Sequence, residues 1–129
     1  MTLSFALVLK ALATGLGGAL GAGTRHGIAT AARLRFGDRF PWGTLAINLT
    51  GALAIGLFSA LALRHQPLAA WHAPLVLGFL GGYTTFSTFL LEVARLRARA
   101  AHIPGALYLA ISLIAGPLCA FIGLWLGGR

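Results

Sequence analysis

Gly78-Phe79-Leu80-Gly81-Gly82-Tyr83-Thr84-Thr85-Phe86-Ser87-Thr88-Phe89 lies inside residues 65–91, a stretch without a single Lys, Arg, Asp or Glu. Three glycines are followed by five hydroxyl side chains within six residues, counting from Tyr83. Gly81-Gly82 weakens a helix, and Ser and Thr hydroxyls can bond the backbone groups so released. A helix broken at membrane depth is tolerated only where protein or a polar cavity covers the break. Freed carbonyls can then coordinate a cation, and freed N–H groups can face an anion. The competing reading is an unbroken helix, with glycines for close packing and hydroxyls bonding back to their own turn.

The surrounding sequence puts this stretch in a bilayer. Residues 40–63 and 100–128 are equally free of acidic and basic side chains, and Leu3 to Gly23 is interrupted only by Lys10. Crossing the hydrocarbon core takes about 20 helical residues. The expected fold is therefore all-α, with transmembrane helices at about 3–31, 42–63, 74–98 and 104–127 in one integral membrane domain, 1–129. Pro41, Pro74 and Pro104 stand near helix starts, where a missing N–H costs least. Trp42, Trp71 and Trp125 fall near span ends, as interfacial anchors do. A cleaved signal peptide is the alternative for the first stretch, but Lys10 sits inside its apolar run rather than before it.

Composition agrees. Of 129 residues, 58% are hydrophobic and 9% charged, against about a quarter charged in a soluble domain. A solvated globular surface is excluded, and so is disorder in water. The formal charge of +8 does not imply nucleic acid, because the basic residues punctuate apolar stretches in short clusters. Cys119, the only cysteine, lies in an apolar run and reads as a packing residue. No nucleophile, metal-ligand cluster or phosphate loop is present, so an enzyme is not expected. The four histidines sit near span ends and read as interfacial.

Four helices enclose little, and no internal repeat supplies a second set of motifs, so a second copy is expected. Gly17, Gly18, Gly21 and Ala22 form overlapping small-xxx-small pairs that suggest where helices meet. The polar residues fall on matching faces. Thr44 and Asn48 are four apart, Thr85, Phe89 and Glu92 share a face with Phe86 and Thr88 beside it, and Tyr108 and Ser112 share a stripe. Asn48, the only amide within a span, must face protein or water. Together these residues describe a narrow path lined by hydroxyls, an amide and two aromatic rings. Interhelical hydrogen bonding alone is the plainer alternative.

These residues resemble the small bacterial fluoride channels, the Fluc or CrcB family, over essentially the whole chain. The resemblance rests on Gly17-Gly18-Ala19-Leu20-Gly21-Ala22-Gly23-Thr24-Arg25, on Trp42-Gly43-Thr44-Leu45-Ala46-Ile47-Asn48-Leu49-Thr50-Gly51, and above all on Gly78 to Phe89. It implies an antiparallel, dual-topology homodimer with a broken third helix and two pores, in the bacterial inner membrane. It implies a central sodium ion held by the carbonyls of Gly81 and Thr84 in both copies. It implies pore-lining Phe86 and Phe89 next to Asn48, a polar track of Tyr108 and Ser112, and Glu92 as the third-helix acid. Gly116 stands where relatives often carry another hydroxyl. The physics suits fluoride, which needs donors to replace its water. Asn48 has an amide N–H, hydroxyls can turn inward, and phenyl rings are positive at their edges.

The alternative is a proton-coupled multidrug exporter of the same four-helix, dual-topology type, with Glu92 as exchange site. Loop charge adds a tension. Arg33, Arg35, Arg39, Arg95, Arg97 and Arg99 fall on one side, against Arg64 and Arg129 on the other. The positive-inside rule then favours one orientation, whereas a homodimer of opposed copies requires two; a heterodimer of two oppositely biased chains, as the resemblance also allows, is the alternative.

Overall fold

Six helices account for nearly all of the chain in a computed structural model that describes residues 2–129, with side chains from Phe5 onward. Helix α1, Thr2–Phe36, is closed by Gly37 at φ 77°, whose N–H bonds the Arg33 carbonyl at 2.8 Å, a glycine-terminated helix end. Helix α2, Trp42–Arg64, starts directly after Pro41. A short α3, Gln66–Ala69, leads to α4, whose wide π-helical turns over Ala73–Leu80 run into the α-helical turn Gly81–Tyr83. Helix α5 is Phe86–Ala98 and α6 is His102–Gly127.

Four helical stretches are long and apolar enough to cross a membrane: Phe5–Phe36, Trp42–Arg64, Ala73–Ala98 and His102–Gly127. They coincide with the four expected spans, although the first runs about a turn further. That extension matters for the charge count. Arg33 and Arg35 lie in the last turn of α1, and Arg95 and Arg97 in the last turn of α5, so four of the six arginines are helical rather than in loops.

The third span departs from helical backbone at Thr84 (φ −80°, ψ 157°) and Thr85 (φ −152°, ψ 121°). Gly81 and Gly82, which local propensity marks as the weak point, are helical. Their role is contact. A Cβ at Gly82 would strike the Gly18 backbone, and one at Gly21 would strike the Phe79 carbonyl. The small residues of α1 thus bring it against this chain's own α4. Glycine also joins α2 to α6 reciprocally, Gly56 resting on Ala120 and Gly123 on Leu53.

The core sits at one end of the bundle, where Leu45, Phe89, Val93, Leu96 and Tyr108 cluster. Elsewhere the apolar surface faces outward. Leu34, Leu63, Leu16, Leu20 and Ile103 are each more than two-thirds exposed in the single chain, as lipid-facing residues are. Trp42, Trp71 and Trp125 are each about half exposed, and the Arg129 guanidinium lies 3.6 Å over the Trp125 ring.

Candidate functional site

The extended residues between α4 and α5 are held by Asn48 of α2. Its Nδ2 donates to the Thr85 carbonyl at 2.9 Å, and the Thr85 N–H donates to its Oδ1 at 2.9 Å. Both backbone groups of Thr85 are thereby satisfied by one amide. The pairing also fixes the orientation of that amide, since only this arrangement matches donor to acceptor at both ends. Nδ2 has a second hydrogen, which the pairing leaves over.

Thr85 in turn caps α5. Its Oγ1 accepts from the Thr88 N–H at 3.3 Å and donates to the Thr88 hydroxyl at 3.0 Å. These bonds divert two amides from helical use. In a continuous helix the Thr85 N–H would go to the Gly81 carbonyl, and the Thr88 N–H to the Thr84 carbonyl. Gly81 and Thr84 therefore present carbonyl oxygens that their own chain no longer pairs at i+4. A hard monovalent cation fits such donors. Among the described residues no group of three or more His, Cys, Asp or Glu could hold a metal ion.

A cavity of about 270 Å³ opens on this junction, lined by Asn48, Thr84, Thr85, Phe86, Phe89 and Ser112 with Ala52, Ile55 and Leu113. The two rings differ in setting. Phe89 is 3% exposed and meets Tyr108 edge to face, with centroids 5.1 Å apart, whereas Phe86 is 67% exposed and 5.8 Å from Phe89.

One turn of α2 away, Thr44 and Tyr108 clasp Glu92. The Thr44 hydroxyl donates to Oε1 and the Tyr108 hydroxyl to Oε2, each at 2.8 Å. Tyr108 is fully buried, and it lines neither this cavity nor the next. Beyond the clasp lies a wider cavity of about 360 Å³ at the end of the bundle that carries the first and third loops. It contains Thr44 and Glu92 at its inner end, with His26, Arg33, Asp38, Arg95 and Arg99 around it. The uncapped N-terminus of α2 (Trp42, Gly43, Thr44) also opens there, adding its positive dipole end.

Of the sequence-derived candidates, Thr44 and Glu92 line the outer cavity, while Asn48, Phe86, Phe89 and Ser112 share the inner one. Thr88 acts through Thr85, and Tyr108 through Glu92. Sequence reasoning did not single out Pro117, which lies inside α6 one turn past Leu113; its position after Gly116 in a charge-free span was the available signal.

The profile of the family described as CrcB-like protein, Camphor Resistance (CrcB), matches residues 12–124. The protein named Fluoride-specific ion channel FluC from Chelativorans sp. (strain BNC1) is 46% identical over 112 residues, covering 86% of this chain and 90% of that protein. Its namesake from Hyphomonas neptunium is 42% identical over 121 residues, covering 92% and 94%. That from Acidobacterium capsulatum is 41% identical over 122 residues, covering 94% and 98%.

Proposed function

This chain belongs to the CrcB-like protein family, and from that premise we propose that it is a fluoride-selective ion channel, a multi-pass protein of the bacterial membrane that lets cytoplasmic fluoride leave passively. Its relatives are named ion channels, not enzymes. The observation that carries the reading is the Asn48 amide, oriented by Thr85 and left with a second N–H in a cavity that also holds Phe86, Phe89 and Ser112.

Fluoride surrenders its water only for donors of comparable strength. The outer cavity, with Arg33, Arg95, Arg99 and the α2 N-terminus, raises the local concentration of anions. Inward of it, Thr44 and Tyr108 have committed their hydrogens to Glu92 and position its carboxylate. In the inner cavity Asn48 supplies an amide hydrogen, Ser112 a rotatable hydroxyl, and the phenyl rings positive edges. Together these closely spaced donors replace hydration without trapping the ion.

Gly81 and Thr84 would hold a sodium ion together with the equivalent carbonyls of a second, antiparallel copy, across third helices broken at Thr84 and Thr85. The bound cation would supply positive charge near the anion path and tie the two copies together. Arg33, Arg35, Arg95 and Arg97 lie in last helical turns, as Arg64 does on the other side; discounting all five leaves Arg39 and Arg99 against Arg129, a smaller bias that favours insertion of this one chain both ways.

A proton-coupled exporter would need a carboxylate that exchanges protons with the substrate site. Glu92 has each oxygen engaged by a hydroxyl, which weighs against that use. Growth tests the proposal: expression in a bacterial strain made fluoride-sensitive should restore growth on fluoride medium, most clearly at acid pH, where hydrofluoric acid enters fastest. Failure of a well-expressed chain to restore growth would count against it.

A further inference from the structure

Pro117 interrupts the hydrogen bonding of α6 at mid-span. Proline has no N–H, so the Leu113 carbonyl, four residues earlier, loses its regular i+4 helical partner. In a bilayer a carbonyl released in this way must find another donor. Two further facts bear on which donor. Leu113 lines the inner cavity beside Ser112, facing the same space as Asn48. Gly116, on the intervening turn, opens onto free room, for a Cβ built there meets nothing within 4 Å. A released acceptor at a residue of the cavity wall and two side-chain donors around the same cavity meet the conditions for an ordered water, which needs room and two to four polar partners.

We propose that the Leu113 carbonyl, with nothing crowding it from Gly116, holds a water molecule in the inner cavity that acts as a resident ligand for fluoride. This deepens the channel reading and rests on it. A bare carbonyl repels an anion. A water that gives one hydrogen to the carbonyl presents its other hydrogen to fluoride, so an acceptor on the wall becomes a donor. Its oxygen can accept from Ser112 Oγ or from the spare Nδ2 hydrogen of Asn48. No bond is made or broken covalently, and the water stays while ions pass.

The site can be read without measuring transport. The dipeptide Leu-Ile occurs once in the chain, at Leu113-Ile114. Carbonyl-13C leucine combined with 15N isoleucine therefore isolates the Leu113 carbonyl in solid-state NMR of the protein in bilayers. Polarisation should pass quickly from water to this carbonyl in the wild type, and slowly in Pro117→Ala, where the alanine amide reclaims it. Fluoride flux through Pro117→Ala should fall about tenfold, the loss expected for one hydrogen-bonded donor. Adding Gly116→Ser should restore flux, because the carbonyl is then satisfied by alanine and the new hydroxyl is free to donate. Absence of water transfer to Leu113 in the wild type overturns the site whatever the variants do. Unchanged flux in Pro117→Ala, with water displaced, overturns its role as a ligand. A wild type that hydrates Leu113 yet moves no fluoride overturns the channel reading and leaves the water site standing.

Discussion

Asn48 and Thr85, 37 residues apart, exchange two hydrogen bonds of 2.9 Å, the side-chain amide of one pairing with the whole backbone unit of the other. This relationship holds the departure from helix in the third span and aims the amide that faces the inner cavity. Asn48→Asp keeps the acceptor for the Thr85 N–H but sets a carboxylate against the Thr85 carbonyl and in the anion path. Fluoride flux should collapse while the protein still inserts and assembles. Undiminished flux in reconstituted Asn48→Asp would remove this residue from the route.

The two phenylalanines should separate by burial. Phe86 is largely exposed in the single chain, so Phe86→Ile should reduce flux through loss of the ring edge and leave the melting temperature nearly unchanged. Phe89 packs in the core against Tyr108, so Phe89→Ala should also destabilise the fold, by about 3–5 kcal/mol. Thermal unfolding in detergent alongside flux distinguishes the two effects. Equal flux in Phe86→Ile and wild type would make that ring a packing residue.

Tyr108→Phe deletes one donor to Glu92 and leaves Oε2 without that partner. The expected loss is about 1–3 kcal/mol of stability, together with reduced flux. Thr44→Val should act in the same direction through Oε1. Because both act through one carboxylate, the double variant should lose less than the two single losses combined, which a double-mutant cycle reads directly. Strict additivity would mean that the clasp is not a unit.

Close approach of α1 to α4 makes a further prediction. A side chain at Gly21 would strike the Phe79 carbonyl and one at Gly82 the Gly18 backbone. Gly21→Leu or Gly82→Leu should abolish monodisperse protein on gel filtration. Gly116→Ala, where nothing lies within reach of a Cβ, should not. Intact Gly82→Leu protein would show that the helices can separate freely.

Much of this was legible in the sequence because bilayer insertion is written in runs of apolar residues. The charge-free intervals 40–63 and 100–128 located two helices to within a few residues; 65–91 overlaps the third span, whose start Pro74 marks, and Leu3 to Gly23 covers only the first part of the first. Asn48 stood out because an unpartnered amide is costly in lipid. The place where the third span leaves helical geometry was harder. Local propensity points to Gly81-Gly82, yet these glycines stay helical against α1, and the extended residues are Thr84 and Thr85. A bond from another helix sets their position, and no local pattern encodes it. The burial of Tyr108 was hidden for the same reason: a tyrosine on a polar stripe looks the same whether it meets an ion or a carboxylate from another helix.

The central claim is passive, selective conduction, and efflux from liposomes tests it most directly. Vesicles loaded with potassium fluoride or potassium chloride, with purified protein and no pH difference, would be opened to potassium with valinomycin and read with ion-selective electrodes. Rapid release of fluoride, with chloride retained as in protein-free vesicles, is the predicted result. Equal release of both anions, or fluoride release only when a proton gradient is imposed, would contradict it.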